Sequence, residues 1–152
     1  MTNKKQSKIT AESIKMRTTV SLNDEGVITG TLECASFENP VEFTGFIRMI
    51  ELMELTFDAK GYPENQLLPR AFGRSKRRLA RDNINLAAQL KEITKEQTQL
   101  KPGTKKSTFE ILVRYRRKAE WQGHIHWIEK NNTKQFLSIV ELSRLINNAL
   151  SR

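Results

Sequence analysis

The chain has 152 residues, of which 38% are apolar, and a formal net charge of +9. This length suits one domain or two very small ones, with a hydrophobic core of moderate size. The single cysteine, Cys34, excludes an internal disulfide, and no apolar run approaches the roughly 18 residues that a membrane span needs. The first eight residues are polar and charged, unlike a secretory signal. We therefore expect a cytoplasmic protein that makes no membrane contact.

The charge is distributed unevenly along the chain. Residues 1–10 form a basic tail with three Lys and no acid, and residues 11–57 carry three basic and eight acidic residues. Residues 58–103 carry ten basic and five acidic residues, and residues 104–152 carry ten and four. A basic excess indicates a polyanionic partner, namely RNA, DNA or a nucleoprotein, although many proteins are basic for solubility alone. The acidic surface of 11–57 suits the basic unit of a second chain or a basic groove on a partner protein, but we prefer an ordinary solvated surface.

Residues 11–57 predict three strands followed by a helix. Apolar and polar residues alternate in the strand segments, and the turn residues Asp24-Glu25-Gly26 and Asn39-Pro40 separate them. Apolar residues then recur at helical spacing, and Gly61-Tyr62-Pro63 ends the helix. The predicted strands are 16–22, 27–35 and 41–44, and the predicted helix runs from Phe46 to about Phe57.

Residues 58–103 predict a basic linker of different composition. A helix is expected at about 82–99, where Leu86, Leu90 and Ile93 lie on one side. Before it, a run of cations contains no acidic residue. Guanidinium groups bind phosphate through two parallel hydrogen bonds, so we expect this run to bind nucleic acid or a partner, with a solvated charged surface as the alternative. The run consists of Arg70, Arg74, Lys76, Arg77, Arg78 and Arg81.

Residues 104–152 predict a second unit with three strands and a helix. Trp121 and Trp127 fall on the apolar side of the middle strand and are predicted to be core residues. Ser138 begins the helix, and Glu141 three residues later completes a capping box. The predicted strands are 109–116, 121–127 and 134–137.

Alternation in the first of these strands predicts that Arg114 and Arg116 lie on one side, away from the apolar residues. Together with His124 and His126 on the next strand, they form either a surface for phosphate contacts or the ordinary polar side of a sheet. The two imidazoles could also bind a metal ion or act in RNA cleavage, but a metal site would lack its third and fourth ligands. We expect no metal, no cofactor and no catalytic residue, and we prefer a polar surface pair.

The two units match each other when the sequence is shifted by 93 positions without a gap. Val20 then falls on Val113 and Gly30 on Gly123, and the apolar pattern agrees over about 40 positions. The sequence therefore predicts an α+β fold of two β-β-β-α repeat units, each an antiparallel sheet with a C-terminal helix, joined by the basic, partly helical linker. Two arrangements stay open, one fused six-stranded body and two sheets docked face to face, and in either of them an exposed sheet edge could also form a homodimer.

The second unit carries a string of motifs: Trp121-Gln122-Gly123, Trp127, Phe136-x-Ser138, Glu141-Leu142, Leu145-Ile146 and Ala149-Leu150. Over 104–150 it resembles small proteins encoded on plasmids, phages and other mobile elements of Gram-positive bacteria. That group is similar to broad-range type II anti-CRISPR proteins, which inhibit Cas9. The resemblance implies a non-enzymatic inhibitor that binds Cas9, its guide RNA or both in the cytoplasm of a bacterial host.

Two other functions stay open from the residues. One is a nucleic-acid-binding regulatory protein of a phage, plasmid or other mobile element. The other is an RNA-cleaving enzyme that uses His124 or His126. The sequence contains no phosphate-binding loop, dinucleotide fingerprint, zinc-finger spacing or nucleophile elbow, and binding is therefore the expected activity.

Overall fold

A computed structural model describes residues 15–63, 105–117 and 120–151. They form a six-stranded antiparallel sheet and two helices, which confirms the predicted α+β class. The basic tail and most of the linker, including the helix expected at 82–99, lie outside the described residues. The strands are β1 (Met16–Leu22), β2 (Ile28–Glu33), β3 (Val41–Thr44), β4 (Lys106–Arg117), β5 (Glu120–Trp127) and β6 (Asn132–Phe136), and the helices are α1 (Phe46–Lys60) and α2 (Ile139–Leu150).

The strands lie in the order β3-β2-β1-β4-β5-β6, so β1 and β4 meet in the middle of the sheet. In this antiparallel pair Arg17 is opposite Glu110, and Met16 is opposite Ile111. The fused six-stranded sheet is thereby selected over two sheets docked face to face, since the strands of both halves share one sheet. We call the part from β1 to α1 the first half and the part from β4 to α2 the second half.

The two halves have the same strand register at positions that differ by 93. Gly30 is opposite Val20 in the first half, and Gly123 is opposite Val113 in the second. A Cβ atom on either glycine would collide with a carbonyl oxygen of the neighbouring strand. Both positions therefore require glycine, because the adjacent backbone leaves no room for a side chain.

Both helices cover the same face of the sheet, and one hydrophobic core lies beneath them. Met16 and Ile111 are fully buried in this core from the two central strands. Each helix contributes an apolar stripe, because its buried residues recur every three or four positions. The buried helix residues are Met49, Leu52, Met53, Thr56 and Phe57 in α1, and Leu142, Ile146, Ala149 and Leu150 in α2.

The two helices begin differently. Ser138 caps α2, since its side-chain oxygen accepts a hydrogen bond of 3.0 Å from the Glu141 backbone N–H. The Glu141 carboxylate accepts in turn from Leu137 N–H, one residue before the position that a capping box predicts. No side-chain hydrogen bond caps α1, which follows Gly45, runs three residues beyond the predicted end at about Phe57 and stops at the predicted Gly61. Neither described helix has the length and hydrophobicity to cross a membrane.

Candidate partner-binding surface

The face of the sheet opposite the two helices, here called the open face, has an ion pair at its centre. Arg17 Nη2 lies 2.8 Å from Glu110 Oε1, and Lys15 Nζ lies 3.7 Å from Glu110 Oε2. The hydrogen bond from Arg17 holds the pKa of the Glu110 carboxyl below its usual value and raises the pKa of Arg17. Two cations therefore compensate the negative charge of Glu110 on this face.

A β-bulge interrupts β4 between Val113 and Tyr115. Val113 is opposite Gly123, whereas the next residue of β5, Gln122, is opposite Tyr115. Arg114 is the extra residue, and Arg114 and Tyr115 are both exposed, Tyr115 by 48%. The predicted exposure of Arg114 is confirmed, while its role in binding stays a prediction.

The prediction that Arg116 shares this surface with Arg114 is wrong. The bulge shifts the alternation by one residue, so Arg116 turns towards the helices and is only 2% exposed. Its Nε donates to the Pro63 carbonyl oxygen at 2.7 Å, and its Nη1 donates to Asp58 at 2.8 Å and to Glu54 at 3.1 Å. Arg116 is thus a hydrogen-bonded structural residue and not a surface for phosphate.

Glu54 links Arg116 to Trp121. Its second oxygen accepts a hydrogen bond of 3.1 Å from Trp121 Nε1, and the indole meets the Phe57 ring edge to face at a centroid separation of 5.4 Å. Burial raises the pKa of the Glu54 carboxyl, although the charge of Arg116 opposes the rise. We call Arg116, Glu54, Asp58 and Trp121 the Arg116 cluster. It joins α1 of the first half to β4 and β5 of the second.

His124 and His126 lie on the open face of β5, where they alternate with buried residues. His126 Nδ1 lies 2.7 Å from Thr133 Oγ1 on β6 and forms a hydrogen bond with it. Within the described ranges, no three His, Cys, Asp or Glu side chains are grouped so that they could hold a metal ion. The imidazoles therefore sit in a polar surface row that spans β5 and β6.

Trp121 and Trp127 both pack against the core, as predicted. Trp121 is 2% exposed, and half-buried Trp127 lies with its ring centroid 6.1 Å from that of Phe109. Beside Trp127 an open cavity of about 140 Å³ separates the C-terminal part of α2 from the sheet. Its lining residues are Phe109, Ile125, Trp127, Asn132, Lys134, Leu145, Asn148 and Ala149.

The described residues keep the charge contrast seen in the sequence. Residues 15–63 contain four basic and eight acidic residues, whereas 105–117 and 120–151 together contain eight basic and four acidic residues. One continuous sheet therefore has an acidic half and a basic half. The cation run of the linker lies outside the described residues, and its binding role stays a prediction: Arg70, Arg74, Lys76, Arg77, Arg78 and Arg81.

Comparison of the chain with protein-family models, with curated proteins and with solved structures found no match.

Proposed function

We propose that this protein is a non-enzymatic inhibitor of a CRISPR–Cas9 effector, acting in the cytoplasm of a bacterial host. It binds Cas9, its guide RNA or both through a basic surface. The observation that carries the proposal is the opposite charge of the two halves within one sheet. A Cas9 complex offers partners for both charges, because it holds RNA in a positively charged protein channel.

The resemblance to anti-CRISPR proteins supports the same function. It covers 104–150, which corresponds to the whole second half, from β4 to the end of α2. The half that carries the resemblance is also the basic half. We therefore assign the contact with RNA phosphates to the second half and to the cation run of the linker, and the contact with a basic protein channel to the first half.

We also propose that the two halves are copies of one β-β-β-α repeat unit joined by the basic segment. The order of strands and helix is the same in each half, and paired residues such as Val20–Gly30 and Val113–Gly123 differ by 93 at both positions. The two helices begin at Phe46 and Ile139, which also differ by 93. Duplication of one unit explains how one frame came to carry two opposite charges.

The residues proposed for binding follow from this division of charge. Arg114 is exposed on the second half, whereas Arg116 is assigned to the core and no longer to the interface. Bidentate guanidinium contacts to phosphate are expected for the arginines of the linker. The proposed binding residues are Arg70, Arg74, Lys76, Arg77, Arg78, Arg81 and Arg114.

The decisive experiment is cleavage of a linear DNA target by Cas9 and its guide RNA in the presence of increasing amounts of the protein. We expect inhibition that depends on dose and is lost when the six linker cations are replaced by alanine. Replacing only the linker arginines by lysine is the matched control, since it keeps the charge and removes the guanidinium fork. Full cleavage with wild-type protein in molar excess would contradict the proposal.

Capture of the tagged protein from a lysate containing Cas9, with and without ribonuclease, separates the remaining possibilities. Recovery of Cas9 that is lost after ribonuclease treatment identifies RNA as the bridge. Recovery of bulk nucleic acid alone, removed by salt, supports the regulatory protein of a mobile element, which the basic second half also suits. Guide RNA that is shortened by the wild-type protein and stays intact with His126→Ala would instead identify an RNA-cleaving enzyme.

A further inference from the structure

The bulge in β4 places a cation and an aromatic ring next to each other on the surface. In a regular strand Arg114 and Tyr115 would point to opposite faces. The extra residue instead leaves both exposed, while Val113 before them and Arg116 after them are buried. Bulges commonly re-aim side chains beside functional sites. The pair on this bulge has the two groups that a nucleotide requires, a flat ring for the base and a guanidinium for the phosphate.

Neighbouring strands extend this pair into a polar row. Gln122 is opposite Tyr115, and His124 follows two residues along β5 on the same face. On β6, Gln135 lies opposite His124 and Thr133 lies opposite His126. These imidazole, amide and hydroxyl groups can donate or accept hydrogen bonds without adding negative charge.

We propose that the open face of β4 to β6 binds single-stranded RNA, with Tyr115 stacking on a base and Arg114 holding an adjacent phosphate. The inference rests on the proposed function in so far as it names guide RNA as the source of that strand. It deepens that function by giving the RNA a defined surface and an orientation over β4 and β5.

Three features favour a single strand of RNA over other partners. An exposed ring stacks on an unpaired base, whereas the bases of a duplex are already stacked inside it. Open sheet faces with aromatic residues are an established platform for single-stranded RNA. The amide of Gln122, opposite Tyr115, can both donate to and accept from the 2′-hydroxyl, which is missing from DNA. Glu110, the acid of β4 on this face, is already paired with Arg17 and Lys15.

The test is a titration of the full chain against a fluorescent, unstructured RNA of about 12 nucleotides, within the range of site sizes for such surfaces, followed by anisotropy. Tyr115→Ala should weaken binding by about 5- to 100-fold through loss of one stacked base, and Tyr115→Phe should restore it. Arg114→Ala should reduce the slope of log affinity against log salt by about 0.7, the value for one phosphate contact on a single strand.

Two matched variants control for loss of a similar residue elsewhere. Tyr62→Ala removes another exposed tyrosine, 36% exposed at the end of α1, and Arg144→Ala removes an exposed arginine on α2, on the helical side of the sheet. Both should bind RNA as the wild type does. Equal unfolding midpoints of Tyr115→Ala and Tyr115→Phe will show that the alanine variant is folded.

Unchanged RNA affinity in Tyr115→Ala would overturn the inference, and so would equal affinity for duplex RNA or for single-stranded DNA of the same sequence. Cas9 cleavage is measured on the same variants. Tyr115-dependent RNA binding without inhibition of Cas9 would support this surface and reject the inhibitor function. Inhibition of Cas9 without RNA binding would support the inhibitor function and reject this surface.

Discussion

The two halves of the sheet have the same order of strands and helix and the same strand register, together called the frame, but they differ in charge and in the side-chain contacts of their helices. Both place a glycine opposite a valine at the same register, and both bury a helix stripe against the same core. In the Arg116 cluster, however, the second half provides the cation and the first half provides Glu54 and Asp58. Opposite charges thus join the acidic half to the basic half at this cluster, and the same difference in charge distinguishes the surfaces of the two halves.

The corresponding positions of the two halves show that this cluster is not shared between them. The strand register puts Leu22, opposite Ile28, at the place that Arg116 has opposite Trp121, and a shift of 93 puts Asn147 and Ser151 at the places of Glu54 and Asp58. These residues are uncharged, and the residue after Leu22, Asn23, accepts hydrogen bonds from Glu25 and Val27 N–H within its own turn. The frame therefore forms without a buried ion pair at this place, and the pair serves to join α1 to β4.

The largest expected effect comes from removing the cation of the Arg116 cluster. Arg116→Ala leaves Glu54 and Asp58 beside a cavity without their partner, and loss of one member of a buried ion pair costs about 3–5 kcal/mol of unfolding free energy. Urea unfolding measures this loss. Arg114→Ala, two residues away on the surface, is the control and should change stability by less than about 0.5 kcal/mol. Equal effects of both variants would contradict the burial of Arg116.

The second prediction tests whether both halves depend on the same frame. Gly30→Ala and Gly123→Ala should each lower the free energy of unfolding by about 1–3 kcal/mol, because the added Cβ meets a backbone carbonyl of the adjacent strand. The two sites are three strand spacings apart, so the double variant should be additive within about 0.5 kcal/mol. A large loss in only one of the two single variants would refute the equivalence of the halves.

The third prediction concerns the different starts of the two helices. Ser138→Ala removes the cap of α2 and should cost about 1 kcal/mol in urea unfolding, whereas Ser138→Gly should cost only a few tenths. If alanine and glycine had the same effect, the hydroxyl hydrogen bond to Glu141 N–H would not be what stabilises this end. Since α1 begins without a side-chain cap, this contribution belongs to the second half alone.

The smallest expected effect is a pH dependence of opposite sign at two glutamates. The folded-state pKa of Glu54 is raised by burial, so its contribution to stability is full below the unfolded pKa and is lost as the pH rises through the folded value. The pKa of Glu110 is lowered by Arg17, so its contribution is full above the unfolded pKa and is lost as the pH falls through the folded value.

As the pH rises from about 3 to 7, across the usual range of carboxyl pKa values, the stability of Glu54→Gln should therefore increase relative to that of the wild type. The stability of Glu110→Gln should decrease relative to that of the wild type over the same range. Unfolding midpoints measured across this range check both slopes. Parallel slopes for the two variants would show that these carboxyls do not differ in environment as described.

Much of the fold could be predicted because its signals are local. The sequence predicts strands at 16–22 and 41–44, and β1 and β3 have these bounds, because alternation and turn residues define both ends of each strand. The pairing of β1 with β4 could not be predicted, because it joins residues 93 positions apart and no local pattern specifies which edges meet. The apolar stripe of α1 ends at Phe57, where the sequence predicts the helix to end, but the helix continues for three residues to the predicted stop at Gly61, which takes the left-handed conformation that commonly ends a helix.

The side chains of the candidate surface were harder to predict than the fold, because the extra residue in the bulge of β4 changes the side of the sheet on which the following residues lie. The alternation from Phe109 to Arg116 looks regular in the sequence, and no glycine or proline marks the bulge. Regular alternation predicts Arg116 at the surface and Tyr115 on the same side as Val113, whereas Arg116 is 2% and Tyr115 48% exposed, so both expectations are wrong. Glu54 and Asp58 lie four residues apart on one side of α1, but Asp58 falls beyond the predicted end of the helix, so the pair gave no clear signal for a buried cation.

The central pairing of β1 with β4 also sets the timing of folding during synthesis. Glu110 is added 93 residues after its partner Arg17, which takes roughly 5–20 s at ribosomal rates of about 5–20 residues per second. During that interval one edge of β1 has no strand beside it, and its amide and carbonyl groups are open to any other nascent chain. A slow ribosome therefore prolongs exposure of the strand that ends up at the centre of the sheet.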